Sequence, residues 1–157
     1  MQISSRRLKR LMNVWPPFIG AGIRVQSISD DFTSALVRMR LTKLNRNYVG
    51  THFGGSLSAM TDPFFMMLAL QQFGRDYVVW DKAAEIEFVA PGRSTVYAHF
   101  ELPASAVNEI RQATEDGSKA LPWFDVDITA EDGSMIARVR RQLYVRRKPA
   151  RVGQSVF

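Results

Sequence analysis

Cysteine is missing from the 157 residues, and with it any disulfide, thiolate nucleophile or cysteine-ligated zinc. Histidine is nearly missing: His52 and His99 stand far apart, and two isolated imidazoles do not make a metal site, so no metal is expected. No uninterrupted apolar run approaches the roughly 18 residues that a membrane span needs. Nor are the cations Arg6, Arg7, Lys9 and Arg10 followed by the apolar stretch of about 7–15 residues that a secretory signal requires. These absences lead to the expectation of a soluble, cytoplasmic protein with no transmembrane segment. Internal repeats and low-complexity tracts are missing too.

What is present is the composition of an ordinary globular domain, 46% hydrophobic and 23% charged. A chain of this length supports one core rather than two. The expected division is a single domain over residues 1–148 and a flexible tail over 149–157. A net charge of +6 with a pI near 10.1 favours anionic partners: nucleic acid, anionic lipid or a phosphorylated small molecule. Many of the basic residues gather at 6–10 and 138–151, where a solvated face is the plain explanation. Nucleic acid ranks last, because neither a recognition-helix motif nor an exposed set of aromatic and basic strand residues accompanies the charge.

Along the chain, residues 5–12 place Leu8, Leu11 and Met12 on one stripe behind a serine cap, which predicts a short amphipathic helix docked on the domain. Trp15, Pro16, Pro17 and Phe18 read as an ordered turn after it. Residues 22–30 and 33–42 read as a hairpin turning at Asp30 and Asp31. The longest apolar segment, residues 56–73, has no polar face and predicts a helix buried on nearly all sides, with a kink or restart at Pro63. Residues 77–90 and 94–102 read as a second hairpin turning at Pro91 and Gly92, and residues 105–114 as a short surface helix. Asp132 and Gly133 join the last two strands, 123–131 and 134–146, in a third hairpin.

Asn47, Gly50, His52, Phe53, Gly54 and Gly55, followed by Asp62, resemble the active-site segment of hotdog acyl-CoA thioesterases of the phenylacetate-degradation type. Residues 50–57, 61–64, 79–82 and 137–140 are similar, more closely, to a hotdog subfamily, the domain-of-unknown-function 4442 (DUF4442) proteins, over residues 10–148. The resemblance implies an α+β hotdog fold, an antiparallel sheet of about six strands wrapped around a long buried central helix. It puts Asp62 at the family's catalytic carboxylate, Asn47 at its asparagine and Gly50 at its first glycine. The family's histidine position is taken by Phe53, and His52 lies one residue early. It also implies a homodimer or a dimer of dimers, with no cofactor beyond the coenzyme A of the substrate.

Thioester hydrolysis needs a base or nucleophile and a stabilised oxyanion. The N–H groups at the Gly54 and Gly55 helix start can polarise a carbonyl, although a glycine pair also serves simple backbone packing. Asp62 follows about two helical turns later, on the same face; it is a candidate base or nucleophile, or else an N-cap restarting the helix before Pro63. Asn47 can bond the carbonyl or a water, or cap a turn. Phe53 and His52 border the same segment as candidate substrate contacts, His52 also as a candidate base. Arg138 and Arg140 are candidates for coenzyme A phosphates, and the group extends to Arg146, Arg147 and Lys148. Arg141, on an otherwise apolar face, reads as a register-shifting bulge before it reads as an anion contact. The leading expectation is an acyl-CoA or acyl-carrier thioesterase; the alternative, suggested by Phe53, is a module that binds an acyl thioester without turning it over.

Overall fold

Ala35, Val37 and Met39 alternate with Ser34, Leu36 and Arg38, and this period of two puts the first set on the buried side of a strand. The structure, a computed structural model, describes residues 3–149. In it this strand, β2 (Ser34–Met39), pairs antiparallel with β1 (Ile23–Ile28), as the turn residues predict. Asp31 Oδ1 accepts from the Thr33 amide and hydroxyl, which tightens the turn, and Phe32 takes the left-handed conformation at φ 57°. The remaining strands are β3 (Tyr77–Phe88), β4 (Val96–Glu101), the two-residue β5 (Lys119–Ala120), β6 (Trp123–Ala130) and β7 (Met135–Arg147). They form one seven-stranded antiparallel sheet in the order β1-β2-β4-β6-β7-β3, with β5 on β7.

That order corrects the second hairpin. β3 pairs with β7 at the end of the sheet, while β4 lies between β2 and β6, so Pro91 and Gly92 turn the chain without joining neighbours. Burial explains the outcome: Val96, Ala98, Phe100 and Leu102 are wholly buried and need covered strands on both sides, whereas β3 carries exposed positions along its length and suits an edge. The third hairpin, β6 to β7 through Asp132 and Gly133, forms as expected.

The central helix comes in two pieces, α3 (Gly54–Ala59) and α4 (Phe64–Phe73). Pro63 has no N–H to continue the ladder, and the chain before it tightens into short bonds from Thr61 N to Ser58 O and from Asp62 N to Ala59 O. The sheet wraps the pair in the hotdog manner: α4 packs against β3, β4 and β7. Phe64 and Phe65 sit against Phe100, at ring separations of 4.7 and 5.2 Å, and Phe65 continues to Phe124 at 5.1 Å. Burial on nearly all sides is not what one chain achieves. Met66 and Met67 are half-buried and Leu70 is exposed, because the sheet covers only one side of α4.

The N-terminal helix, α1 (Ser5–Asn13), is capped by Ser4, whose hydroxyl accepts from Arg7 N, and it buries Leu8 and Met12 while Leu11 stays 51% exposed. The expected turn after it is a helix, α2 (Pro16–Ala21), because Pro16 fits the first helical position and Gly22, at φ 74°, closes it. Asn13 seals the outer edge of β1: its amide donates to Val25 O at 3.0 Å and its carbonyl accepts from Val25 N at 2.8 Å. The surface helix, α5 (Ala104–Ala113), buries Val107 and Ile110. Most of the expected tail lies outside the described residues. Because Phe65 links the helix to two strands, Phe65→Ala is expected to cost about 3–5 kcal/mol, measured as a lowered urea midpoint at unchanged slope.

Candidate functional site

Two groups of residues gather at opposite ends of α3. At its start, Asn47 ties its own loop together. Its carbonyl accepts from the amides of Val49 and Thr51, and its amide donates to Thr51 Oγ1 at 2.9 Å and to the His52 carbonyl at 3.3 Å. Gly50, at φ 81°, makes the turn inside this loop. His52 is buried, and its Nε2 lies 2.8 Å from the Ser94 carbonyl, so that nitrogen carries the proton. Nδ1 is buried without a partner among the described residues. Burial pushes the imidazole below its ordinary pKa and the Ser94 bond opposes this only in part, which leaves a neutral ring at neutral pH.

The glycine pair is required by two aromatic rings. A Cβ on Gly55 would stand 2.4 Å from the Phe53 ring, and one on Gly54 would stand 3.0 Å from that of Phe88. Neither glycine N–H has an acceptor among the described residues. Asn47, His52, Gly54, Leu57 and Phe88 line a cavity of about 350 Å³, and Phe53 is exposed beside it.

At the other end, Arg141 corrects its sequence reading. It stands in register opposite Phe124 on β6 and Ala84 on β3 with no bulge at that point. Its buried side chain runs under the helix break: Nη1 donates to Asp62 Oδ1 at 2.7 Å, and Nη2 to Ser58 O at 2.9 Å and Thr61 Oγ1 at 3.2 Å. Asp62 is 60% exposed and makes no helix-capping bond; α4 begins after Pro63 with no side-chain cap.

A third residue here escaped the sequence reading. Asp81 sits on β3 opposite the buried Leu143, in phase with the inward Val79. Its Oδ1 is buried with no partner among the described residues. Burial pushes its carboxyl up to about 6; the charge of Asp62 adds to the shift and that of Arg141 opposes it. An acid in phase with inward apolar residues was the available signal, and the bulge between Asp81 and Ala83 hid it by changing the phase of the strand.

Arg138 and Arg140 point away from both groups, on the outer face of the sheet. Arg140 pairs with Asp125 at 3.1 Å and Glu85 at 3.3 Å and covers the Trp123 ring, and Arg138 stands opposite Glu87 and Asp127. Arg146, Arg147 and Lys148 join Arg75, Asp76 and Asp116 around a broad open depression of about 1010 Å³. Among the described residues no group of acids and histidines is arranged to hold a metal ion, and no helix is long and apolar enough to cross a membrane.

Arg141 satisfies a helix-end carbonyl as well as a carboxylate, so the two partners are unequal in weight. Arg141→Met, which removes a buried donor from Asp62, Ser58 O and Thr61 Oγ1 while Thr61 still donates to Ser58 O, is expected to lose about 1–3 kcal/mol. Asp62→Asn keeps an acceptor for Nη1 at the exposed end and leaves Asp81 beside the buried guanidinium, and is expected to lose the smaller amount, about 1 kcal/mol. Urea denaturation of both variants checks the order, and equal losses would contradict it.

Comparison with solved structures gives likeness along nearly the whole chain at low identity. A protein of unknown function from Pseudomonas aeruginosa superposes with a TM-score of 0.82 at 18% identity, covering 94% of this chain and 98% of that one. A thioesterase from Haemophilus influenzae gives a TM-score of 0.67 at 13% identity, covering 98% and 97%. The Escherichia coli PaaI protein, from the phenylacetic acid degradation operon, gives 0.60 at 17% identity, covering 92% and 93%. Comparison with curated proteins finds no match. Residues 4–145 match the family described as a domain of unknown function, DUF4442. With its sheet wrapped around a broken central helix and that match over most of its length, the chain belongs to the DUF4442 family and has the hotdog fold.

Proposed function

We propose that this protein hydrolyses acyl thioesters of coenzyme A or of an acyl carrier. The observation that carries the reading is Asp62, held by Arg141 at the break of the central helix with its carboxylate still open to solvent. Asp62 acts on the thioester as base, drawing a proton from a water whose oxygen bonds to the carbonyl carbon, or as nucleophile through its own oxygen, with water then opening the acyl-aspartate. On either route the C–S bond breaks and the departing sulfur takes up a proton given by that water. The unpartnered N–H groups of Gly54 and Gly55 meet the oxyanion, and Phe53, His52 and Asn47 border the acyl-binding cavity. A second reading, binding without turnover, is favoured by Phe53 where the related thioesterases carry histidine.

Within one chain Asp62 does not line the cavity at Gly54. We therefore assign the complete site to a dimer, in which Asp62 of one protomer faces the glycines of its partner. Two features support association through β3. Asn13 seals the β1 edge, whereas the outer edge of β3 has no strand partner among the described residues. Met66, Met67 and Leu70 are also incompletely covered beside it.

Light scattering on the intact protein at micromolar concentration is expected to give twice the chain mass or four times it; a monomer would sink the composite site. A panel of acyl-CoA thioesters should include at least one that the parent turns over, and Asp62→Asn should slow it about 10²–10⁴-fold with substrate binding retained. Undiminished turnover by that variant would overturn Asp62 as the catalytic group, whereas a parent that binds the thioesters and turns over none would leave the binding-module reading in its place.

A further inference from the structure

Asp62 Oδ1 already accepts a charge-assisted bond from Arg141. Further along the sheet stands an acceptor that is not engaged among the described residues. Asp81 is opposite Leu143, which is two residues from Arg141 on β7, so the side chains of Asp81 and Arg141 are diagonal neighbours on the inner face, about 7 Å apart along the strand. The bulge after Asp81 leaves only the small Ala84 directly across from Arg141. Two polar atoms here are buried without partners among the described residues, the acceptor Asp81 Oδ1 and the donor Arg141 Nε. Buried polar groups are almost always satisfied. A water suits this pair, since it donates one hydrogen bond and accepts another.

We propose that Asp81 is a second acid–base residue of the site: when water is the attacking group, Asp62, fixed by Arg141, holds that water against the thioester carbonyl and Asp81 receives its proton. The proposal rests on the thioester-hydrolysis reading and deepens it. The water gives one proton to the Asp81 carboxylate as its oxygen bonds to the carbonyl carbon and the carbonyl π pair moves onto oxygen. Collapse of that intermediate breaks the C–S bond, and the departing sulfur takes the proton back from Asp81. One water and one thioester become one acid and one thiol, and Asp81 returns to its starting state.

The surroundings suit a proton acceptor that works near neutrality. From the helix break Asp81 meets Asp62, and from β7 it meets Arg141. Lys82 is exposed at the bulge, and Glu85 is bonded to Arg140 on the outer face. Burial and the neighbouring carboxylate together raise the Asp81 carboxyl to about 6, so the base form predominates above that pH and the rate should fall below it.

The test is the pH dependence of kcat/KM on the best acyl-CoA substrate for the parent, Asp81→Asn and Asp62→Asn, with circular dichroism as the check on folding. The parent should show an acid limb with a midpoint near 6. Asp81→Asn should lose that limb and about 10²-fold in rate at neutral pH, with KM little changed; a merely structural role would lower activity without moving the midpoint. A folded Asp81→Asn that keeps the parent's rate and acid limb overturns the proposal while leaving hydrolysis intact. If the parent turns over no thioester, the functional reading falls and this one falls with it. If Asp81→Asn does not fold, carboxyl carbon NMR titration of the intact parent decides. Asp81 should titrate near 6 and shift downward in Asp62→Asn, whereas titration near the ordinary 3.8 refutes the assignment.

Discussion

The break that Pro63 puts into the central helix is the constraint on which the rest of the molecule turns. An unbroken helix would bond its own carbonyls and need nothing from the sheet. The broken one ends α3 in a tight turn over the sheet floor, with Ser58 O and Thr61 Oγ1 directed at β7. Thr61 N and Oγ1 both donate to Ser58 O within the turn, and the lone pairs left over accept from Arg141, the one long donor on an otherwise apolar strand face. Burying a guanidinium is costly unless its charge is balanced. Asp62, immediately before Pro63, supplies the balance at 2.7 Å. The kink, the buried cation and the exposed carboxylate are therefore one unit.

That unit sits beside an unequal sheet. The β1 edge is closed by Asn13 and the N-terminal helix, so the chain cannot extend its sheet in that direction without displacing its own first helix. At the other end β3 is pinned to β7 by their full-length ladder and by the Trp80 and Tyr144 rings, stacked at 3.9 Å on the outer face. Its far side has no strand partner among the described residues. The outer face between these limits is crossed by charges of opposite sign, with Arg140 set between Asp125 and Glu85, so it is well hydrated and differs in kind from the methionine side of α4.

At the start of α3 the chemistry is aromatic rather than ionic. Gly54 and Gly55 make room for the rings of Phe88 and Phe53, which lie where side chains would otherwise stand. His52 is turned inward and bonded to Ser94, holding the 45–55 loop against the strand connection rather than presenting an imidazole to solvent. Among the described residues the polar groups left unpaired there are the two glycine amides and His52 Nδ1. The inward carboxylates described above, Asp62 and Asp81, stand at the far end of α3, which explains why one chain displays two half-assembled regions in place of one pocket.

Much of this was legible in the sequence, because much of it is local. Alternation found the faces of the strands, Asp132 and Gly133 found the last hairpin, and Pro63 found the break, since each depends on the φ/ψ preferences and spacing of neighbouring residues. The glycine pair and Asp62 were legible as a motif. What the sequence could not yield was everything set by partners distant along the chain. Pro91 and Gly92 dictate a bend, yet the competition for burial between β3 and β4 decided which strands they separate. Arg141 was an anomaly on a strand until Asp62, 79 positions away, gave it a partner. Asp81 was one acid among many until the fold placed it, partly buried, within the fields of Asp62 and Arg141. Local sequence determines backbone conformation; charge pairing, desolvation and sheet order depend on which distant residues share the interior, and only the tertiary structure decides that.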